Sequence, residues 1–319
     1  MNIELLIQHN ETLFQPMVEE GITWTTERAG SPSILKFNVI KDGTINFAEG
    51  DAVRMKVDGQ EVFYGFVFTK KRSKGESIQV TAYDQLRYFK NKDTYVYENK
   101  TASQVIQMIA GDFNLNLGSI EPTSYIIPSR VEENTSLFDI VQNALDLEIQ
   151  NKGELFCLYD KFGKITLQNI ASMKLDLLID ASAAEDFDYS SSIDSDTYNQ
   201  IKLTYDNEET GTRDVYISKD TSKINQWGIL QYFETLQKGE NGKAKADALL
   251  KLYNKKTRNL KVNNCFGDIR CHAGTMPIVQ LNLGDIITSN YMLVEKATHT
   301  FKNDQHLMSL TLRGGEFVV

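Results

Sequence analysis

Cysteine is scarce in this sequence: Cys157, Cys265 and Cys271 are the only three in 319 residues. That excludes a disulfide framework and points to synthesis in the cytosol. No apolar run approaches the roughly 20 residues that would span a bilayer. The opening Met1-Asn2-Ile3-Glu4-Leu5 lacks the basic stretch that precedes a secretory hydrophobic segment. Positive charge is also short, with 34 Lys and Arg against 43 Asp and Glu and a net charge of −9. Such a balance argues against a general nucleic-acid binder, which meets phosphates with a basic surface. There is no G-x-S-x-G nucleophile elbow, and proline occurs only 5 times.

What is abundant points to folded β structure. Hydrophobic residues make up 41% and charged residues 24%, a globular and not a disordered composition. The 14 Tyr and 16 Phe favour half-buried pleated surfaces. The length accommodates two domains or three. The expected class is α+β, mainly β.

Period-two alternation dominates the first part of the chain. Leu35, Phe37 and Val39 alternate with Lys36 and Asn38, and Asp42-Gly43 offers a turn. Val53, Met55 and Val57 lead into Asp58-Gly59 and an aromatic run from Gln60 to Phe68, a strong hairpin signal. Ile78, Val80 and Ala82 continue the pattern. Short strands at this spacing fit a small barrel or sandwich.

Near residue 100 the period changes. Thr101-Ala102-Ser103-Gln104 matches a capping box, with Val105, Ile106 and Ile109 on one face and Gly111 as a stop. Ser136 opens a second helix whose stripe is Leu137, Ile140, Val141, Ala144, Leu145 and, as the one polar member, Glu148. Strands return at Leu155–Tyr159 and Lys164–Asn169, so the middle part reads as an α/β module. Asp180 to Asp196 is acidic and serine-rich, a connection or an exposed edge. Strands follow at Asn199–Tyr205 and Val215–Ser218. A helix is expected over Lys243–Lys256, with Ala248, Leu249, Leu252 and Tyr253 inward. Met308, Leu310 and Leu312 alternate at the end, and Gly314-Gly315 closes the run.

Candidate chemical motifs are weak. Gly239-Glu240-Asn241-Gly242-Lys243-Ala244 has two residues between its glycines where a phosphate loop needs four, and Ala244 lacks the hydroxyl for Mg²⁺. Cys265, Cys271 and His272 depart from zinc spacing and read as buried thiols beside a strand histidine. His299 and His306 flank Asp304 and approach each other if they face across a hairpin, but a solvated hairpin with its tip at Asn303-Asp304 is the preferred reading. Asp186-x-Asp188-x-Ser190 begins like a calcium loop, yet Ser191 stands where that loop needs Gly and Thr197 where it needs Glu. No spacing selects a carboxylate pair for glycoside hydrolysis. Lys70-Lys71-Arg72-Ser73-Lys74 is a basic cluster expected in a loop, either a solubilising tip or a contact with an acidic partner. No residue is assigned to catalysis, a cofactor or a metal, and assembly is the better use for a β-rich body with open edges and aromatic anchors.

Several segments carry a family resemblance. Val80-Thr81-Ala82-Tyr83-Asp84-Gln85-Leu86-Arg87-Tyr88-Phe89-Lys90-Asn91 resembles the segment closing the first barrel in prophage tail proteins of the PBSX XkdQ type. Thr101-Ala102-Ser103, Asn134-Thr135-Ser136-Leu137, Tyr198-Asn199-Gln200-Ile201 and Gln226-Trp227-Gly228-Ile229-Leu230-Gln231 are similar to the same family. So are Ala297-Thr298-His299-Thr300-Phe301 and Leu307-Met308-Ser309-Leu310. Their order and spacing, from about residue 20 onward, carry the resemblance together. It implies a non-enzymatic baseplate hub of a contractile tail, in a phage or a phage-tail-like bacteriocin, related to the hub of type VI secretion spikes. Such a hub is a homotrimer whose two tube-like β-barrels per subunit form a ring joining the sixfold tail tube to the threefold spike. The implied layout is a first barrel over 1–95, the α/β module over 96–190 and a second barrel with one helix over 191–319. Implied partners are the tube protein, the spike and other baseplate proteins, with no stable nucleic-acid binding and no membrane. The chain would be made in the bacterial cytoplasm and released within a tail particle. An acidic lumen that lets DNA slide is a further expectation from the charge. The alternative is a tail-tip protein that binds or cuts peptidoglycan.

Overall fold

The computed structural model describes the chain apart from residues 42–45, 73, 195–196, 208–210, 237–240, 285–286 and 315–319. The expected turn at Asp42-Gly43, the glycine at 239 and Gly315 lie outside the described residues. The first part forms β1 (Ile3–His9), β2 (Thr12–Phe14), β3 (Ile22–Glu27), β4 (Ile34–Ile40), β5 (Ala52–Val57), β6 (Gln60–Arg72) and β7 (Ser77–Tyr83). The alternating apolar sets are the buried ones: Leu35, Phe37, Val39, Val53, Met55, Val57, Ile78, Val80 and Ala82 share one core. Asp58 (φ 48°) and Gly59 (φ 80°) make the tight turn between β5 and β6, because a primed turn needs positive φ at both positions.

The middle part comprises β8 (Lys92–Lys100), α1 (Ala102–Asp112), β9 (Leu117–Ile120), β10 (Ile127–Ser136), α2 (Leu137–Lys152), β11 (Phe156–Asp160) and β12 (Ile165–Asn169). Both arms of the capping box at Thr101 and Gln104 are formed. Gly111 does not stop α1, which runs one residue further and caps at Phe113. Glu148 is buried in the α2 stripe because its carboxylate accepts from Ser124 N, Ser124 Oγ and Tyr125 N at 2.8–2.9 Å. Gly153 (φ 73°) ends α2 in the left-handed region. Removing the Thr101 hydroxyl strips the cap from α1, so Thr101→Ala is expected to cost about 1 kcal/mol, read as a lower urea midpoint with an unchanged slope.

Then come β13 (Lys174–Asp180), β14 (Asp186–Ser192), β15 (Gln200–Asn207), β16 (Thr212–Lys219), α3 (Thr221–Trp227), β17 (Gln231–Thr235), α4 (Gly242–Tyr253), β18 (Thr257–Phe266), β19 (Met276–Asn282), β20 (Ile287–Tyr291), β21 (Leu293–Lys302) and β22 (Gln305–Arg313). The chain is mainly β, as its composition indicates. α4 turns Ala246 and Leu249 inward and leaves Ala248 exposed, a shift from the expected face. The face is set by the sheet beneath, where Ile201 and Leu203 of β15 meet that helix.

Strands from both β regions join in one large sheet, while β13-β19-β20 and β16-β15-β17 form separate sheets. Eleven strands run in the order β14-β18-β22-β21-β3-β4-β7-β6-β5-β1-β2. The seam is β3 against β21, from Lys296↔Glu27 to Phe301↔Ile22. The order is linear, and no pairing among the described residues joins β14 to β2. Phe301 crosses the seam to pack in the N-terminal core. β15, β16, β17, α3 and α4 form a separate small α/β layer between β14 and β18.

Candidate functional site

The seam carries a row of polar contacts. Thr25 and Thr298 hydroxyls meet at 3.3 Å, Lys296 pairs with Glu27 at 2.7 Å, and Arg28 Nε donates to Glu295 Oε2 at 2.7 Å. Behind it, Trp24 stacks on His299 with ring centroids 4.8 Å apart. His299 Nε2 lies 2.9 Å from the Cys271 carbonyl oxygen, and His299 Nδ1 lies 2.8 Å from His306 Nε2. A carbonyl only accepts, so Nε2 of His299 carries the proton and Nδ1 accepts from His306. The two histidines do meet across the β21–β22 hairpin, whose tip at Asn303-Asp304 is exposed as expected, but His299 sits in the core and His306 is half-buried beside it. His299 is fully buried, and burial, ahead of its neighbour His306, pushes it down to about 3. The carboxylate that bears on the pair is Asp268, from the loop after β18, and not Asp304 at the tip.

The other expected candidates resolve individually. Cys265 and Cys271 are buried thiols pushed up by desolvation to about 11 and about 12. His272 is turned away from them, its Nδ1 on the Ala273 carbonyl oxygen at 2.9 Å and its ring 4.9 Å from that of Tyr159. Among the described residues no cluster of three or more His, Cys, Asp or Glu has a metal-holding arrangement. Asp186 and Asp188 stand on β14, the exposed edge strand of the large sheet. Lys70, Lys71 and Arg72 end β6 instead of forming a loop. Lys70 reaches the Phe47 carbonyl and lies 4.6 Å from the Phe47 ring centroid. Ser73 lies outside the described residues. Lys243 pairs with Asp247 at 2.7 Å on an exposed helix face, which is a solvated role.

One constellation escaped the sequence reading. Asp84 and Asp160 come together where the middle part docks on the large sheet. Asp84 accepts from Ser33 N at 2.9 Å and from Leu86 N at 3.0 Å, capping the short 3₁₀ turn Gln85–Lys90. Asp160 accepts from Gly163 N at 2.6 Å and from Gln85 Nε2 at 3.0 Å. Desolvation and the mutual charge raise Asp84, and burial raises Asp160 to about 6. Every carboxylate oxygen is held by a protein donor, so the pair acts as a lock between modules. The hairpin Asp160-Lys161-Phe162-Gly163 was visible, but nothing in the sequence ties it to Asp84.

Beside the lock, a cleft of about 230 Å³ is lined by Trp24, Glu61, Tyr159, Asp160 and His272 among others. Several large apolar side chains also stay uncovered. Val96 and Val131 face each other across the β8–β10 ribbon, both more than 60% exposed. On the far side of the β16-β15-β17 sheet from α4, Val215, Ile217 and Phe233 are about half exposed.

The YQBQ-like family model matches residues 22–313. In Bacillus subtilis strain 168, the protein YqbQ is 30% identical over 97% of this chain and 95% of its own length. The phage-like element PBSX protein XkdQ is 29% identical over 97% and 96%. Two solved structures share the fold. The tail protein from Neisseria meningitidis MC58 has a TM-score of 0.71 at 11% identity, covering 99% of this chain and 98% of that one. The Escherichia coli c3393 protein has a TM-score of 0.59 at 12% identity over 98% and 78%. It is a component of the type VI secretion system with structural similarity to the T4 bacteriophage tail proteins gp27 and gp5.

Proposed function

The chain belongs to the YQBQ-like family, and from that premise we propose that it is a structural, non-enzymatic part of a contractile tail: the baseplate hub. Three subunits form a ring between the tail tube and the spike. Each half of the large sheet curls into a tube-like wall. The observation that carries this reading is the fold likeness to a tail protein along 99% of the chain. The seam supports it as well. A hub transmits load between tube and spike, and main-chain pairing of β3 with β21 makes both halves one mechanical body. The polar groups drawn together at Asp84 and Asp160 are occupied with holding the middle part on the sheet.

The purified chain, alone or with tube or spike protein, is expected to give trimers or larger rings in native mass spectrometry. Electron microscopy of the native particle that finds this chain away from the tube–spike junction would overturn the reading. Clearing of a cell-wall suspension by the purified chain would favour a peptidoglycan-cutting tail-tip protein instead.

A further inference from the structure

We propose that the two uncovered sheet faces bind each other between copies of this chain, head to tail. The inference rests on the assembly reading above and names its contact. The first face is the outer side of the β8–β10 ribbon. Val96 (64% exposed) stands opposite Val131 (63% exposed), and Glu98 stands opposite Ser129. Glu98 and Glu133 are the charged residues two positions from the valines, and neither side chain has an ion-pair partner among the described residues. Lys92 and Lys100 lie farther out, toward the ribbon's ends.

The second face is the outer side of the β16-β15-β17 sheet. One cross-strand row is Ile217–Lys202–Phe233, the next is Val215–Thr204–Thr235, and Lys219 stands opposite Gln200. Ile217 is 48% and Phe233 54% exposed. Asp206, the carboxylate on this side, is already taken by Arg213. Lys202 and Lys219 have no ion-pair partner among the described residues. The opposite side of the same sheet is covered by α4, so this side is the one left bare.

The first face sets Val96 and Val131 beside the carboxylates of Glu98 and Glu133, and the second sets Lys202 between the apolar Ile217 and Phe233, so the charges nearest the apolar residues are of opposite sign on the two faces. Charge complementarity of this kind sets the partner and register of an interface. A chain of net charge −9 repels its own copies, so a self-contact needs local patches of opposite sign. Pairing the second face with its own twin would set Lys202 and Lys219 against their copies, whereas the first face offers Glu98 and Glu133. The favoured contact is therefore heterologous, and heterologous contacts close into rings when the rotation allows.

The test uses the full-length chain in sedimentation and native mass spectrometry across concentration. Lys202→Glu with Lys219→Glu is expected to weaken self-association by about tenfold or more, because like charges then face each other. Glu98→Lys with Glu133→Lys is expected to do the same. All four changes together are expected to restore association, which a general surface effect would not do. Unchanged thermal melting of each variant shows that it is folded. Rings that persist unaltered through both double reversals would overturn this contact and leave the hub reading standing. Loss in the doubles without recovery in the fourfold variant would overturn it as well. A wild-type chain that stays monomeric to its solubility limit would also overturn the self-contact, and the hub reading would still be decided by where the chain sits in the native particle.

Discussion

Replacing His299 by Phe is expected to flatten the acid side of the stability–pH curve while lowering stability at neutral pH. His299 gives its one proton to the Cys271 carbonyl and accepts from His306, so the buried network is complete only when His299 is neutral. Trp24 covers one face of its ring and Phe301 lies on the same strand at 6.5 Å between centroids. Asp268 favours the charged form from nearby, but its carboxylate is held by Arg270. Burial dominates and sets the folded value at about 3; it also lowers His306.

The sign follows. An unfolded histidine binds its proton near pH 6.5 and the folded one resists until about 3. Between these values the unfolded chain holds more protons, so stability is full above about 6.5 and is lost as pH falls. The slope is ~1.4 kcal/mol per pH unit, giving on the order of 4–5 kcal/mol over the whole window. Asp84 and Asp160 act in the opposite direction. Both folded values are raised, so both contributions are present at low pH and are lost as pH rises, that of Asp160 through about 6. The two effects oppose each other between about pH 4 and pH 6. Asp160→Asn removes part of the opposing effect, and the acid loss should steepen. His299→Phe removes the larger part of that acid loss, His306 keeping its own, yet leaves the buried Cys271 carbonyl without its His299 partner at roughly 1–3 kcal/mol. Urea midpoints at four pH values for wild type and both variants measure this. Three parallel curves would sink the account.

Much of the local structure was legible, and the reasons show where legibility stops. Alternation at Leu35, Phe37 and Val39 reports which side of a strand is buried, because side chains alternate. It cannot report which strand lies alongside. β3 and β21 are paired across some 270 positions of chain, and no period in either strand encodes that choice. The same limit hid Asp84 and Asp160, whose meeting depends on how the β11–β12 hairpin docks. Glu148 was visible as a misfit in an apolar stripe, and the misfit marked a real feature: a buried carboxylate tying a loop to α2. His299 and His306 were noted as a pair, but burial is a property of the finished sheet. The α4 face was misread by two residues because a short helix with alanines on several sides has no strong preference of its own.

Gly65→Ala is expected to be the most damaging small substitution in the large sheet. Gly65 lies in β6, between β5, where it pairs with Val53, and β7. Its backbone is not in the left-handed region, so the requirement for glycine here is space and not φ. A Cβ would sit 2.2 Å from the Tyr83 carbonyl oxygen and 2.7 Å from both the Tyr83 carbonyl carbon and the Phe63 ring. A flexible side chain could swing away, but a carbonyl fixed in a ladder cannot. β6 already carries an irregularity against β7 between Val67 and Thr69, so the strands have little slack to separate. Overpacking of this kind costs ~3 kcal/mol or more. The damage should also spread. Tyr83 is followed by Asp84 and Gln85, the residues that lock the middle part to the sheet, so pushing Tyr83 loosens that lock. Gly59→Ala is the control. It has φ +80° but nothing within 4 Å, so its cost is the left-handed backbone alone, about 1–2 kcal/mol. Gly65→Ala should therefore show the lower urea midpoint and faster proteolysis around residues 84–92, while Gly59→Ala keeps that segment protected. Equal midpoints for the two variants, with equal protection, would show that β6 and β7 can part without cost and that the close approach at Tyr83 does not hold the module in place.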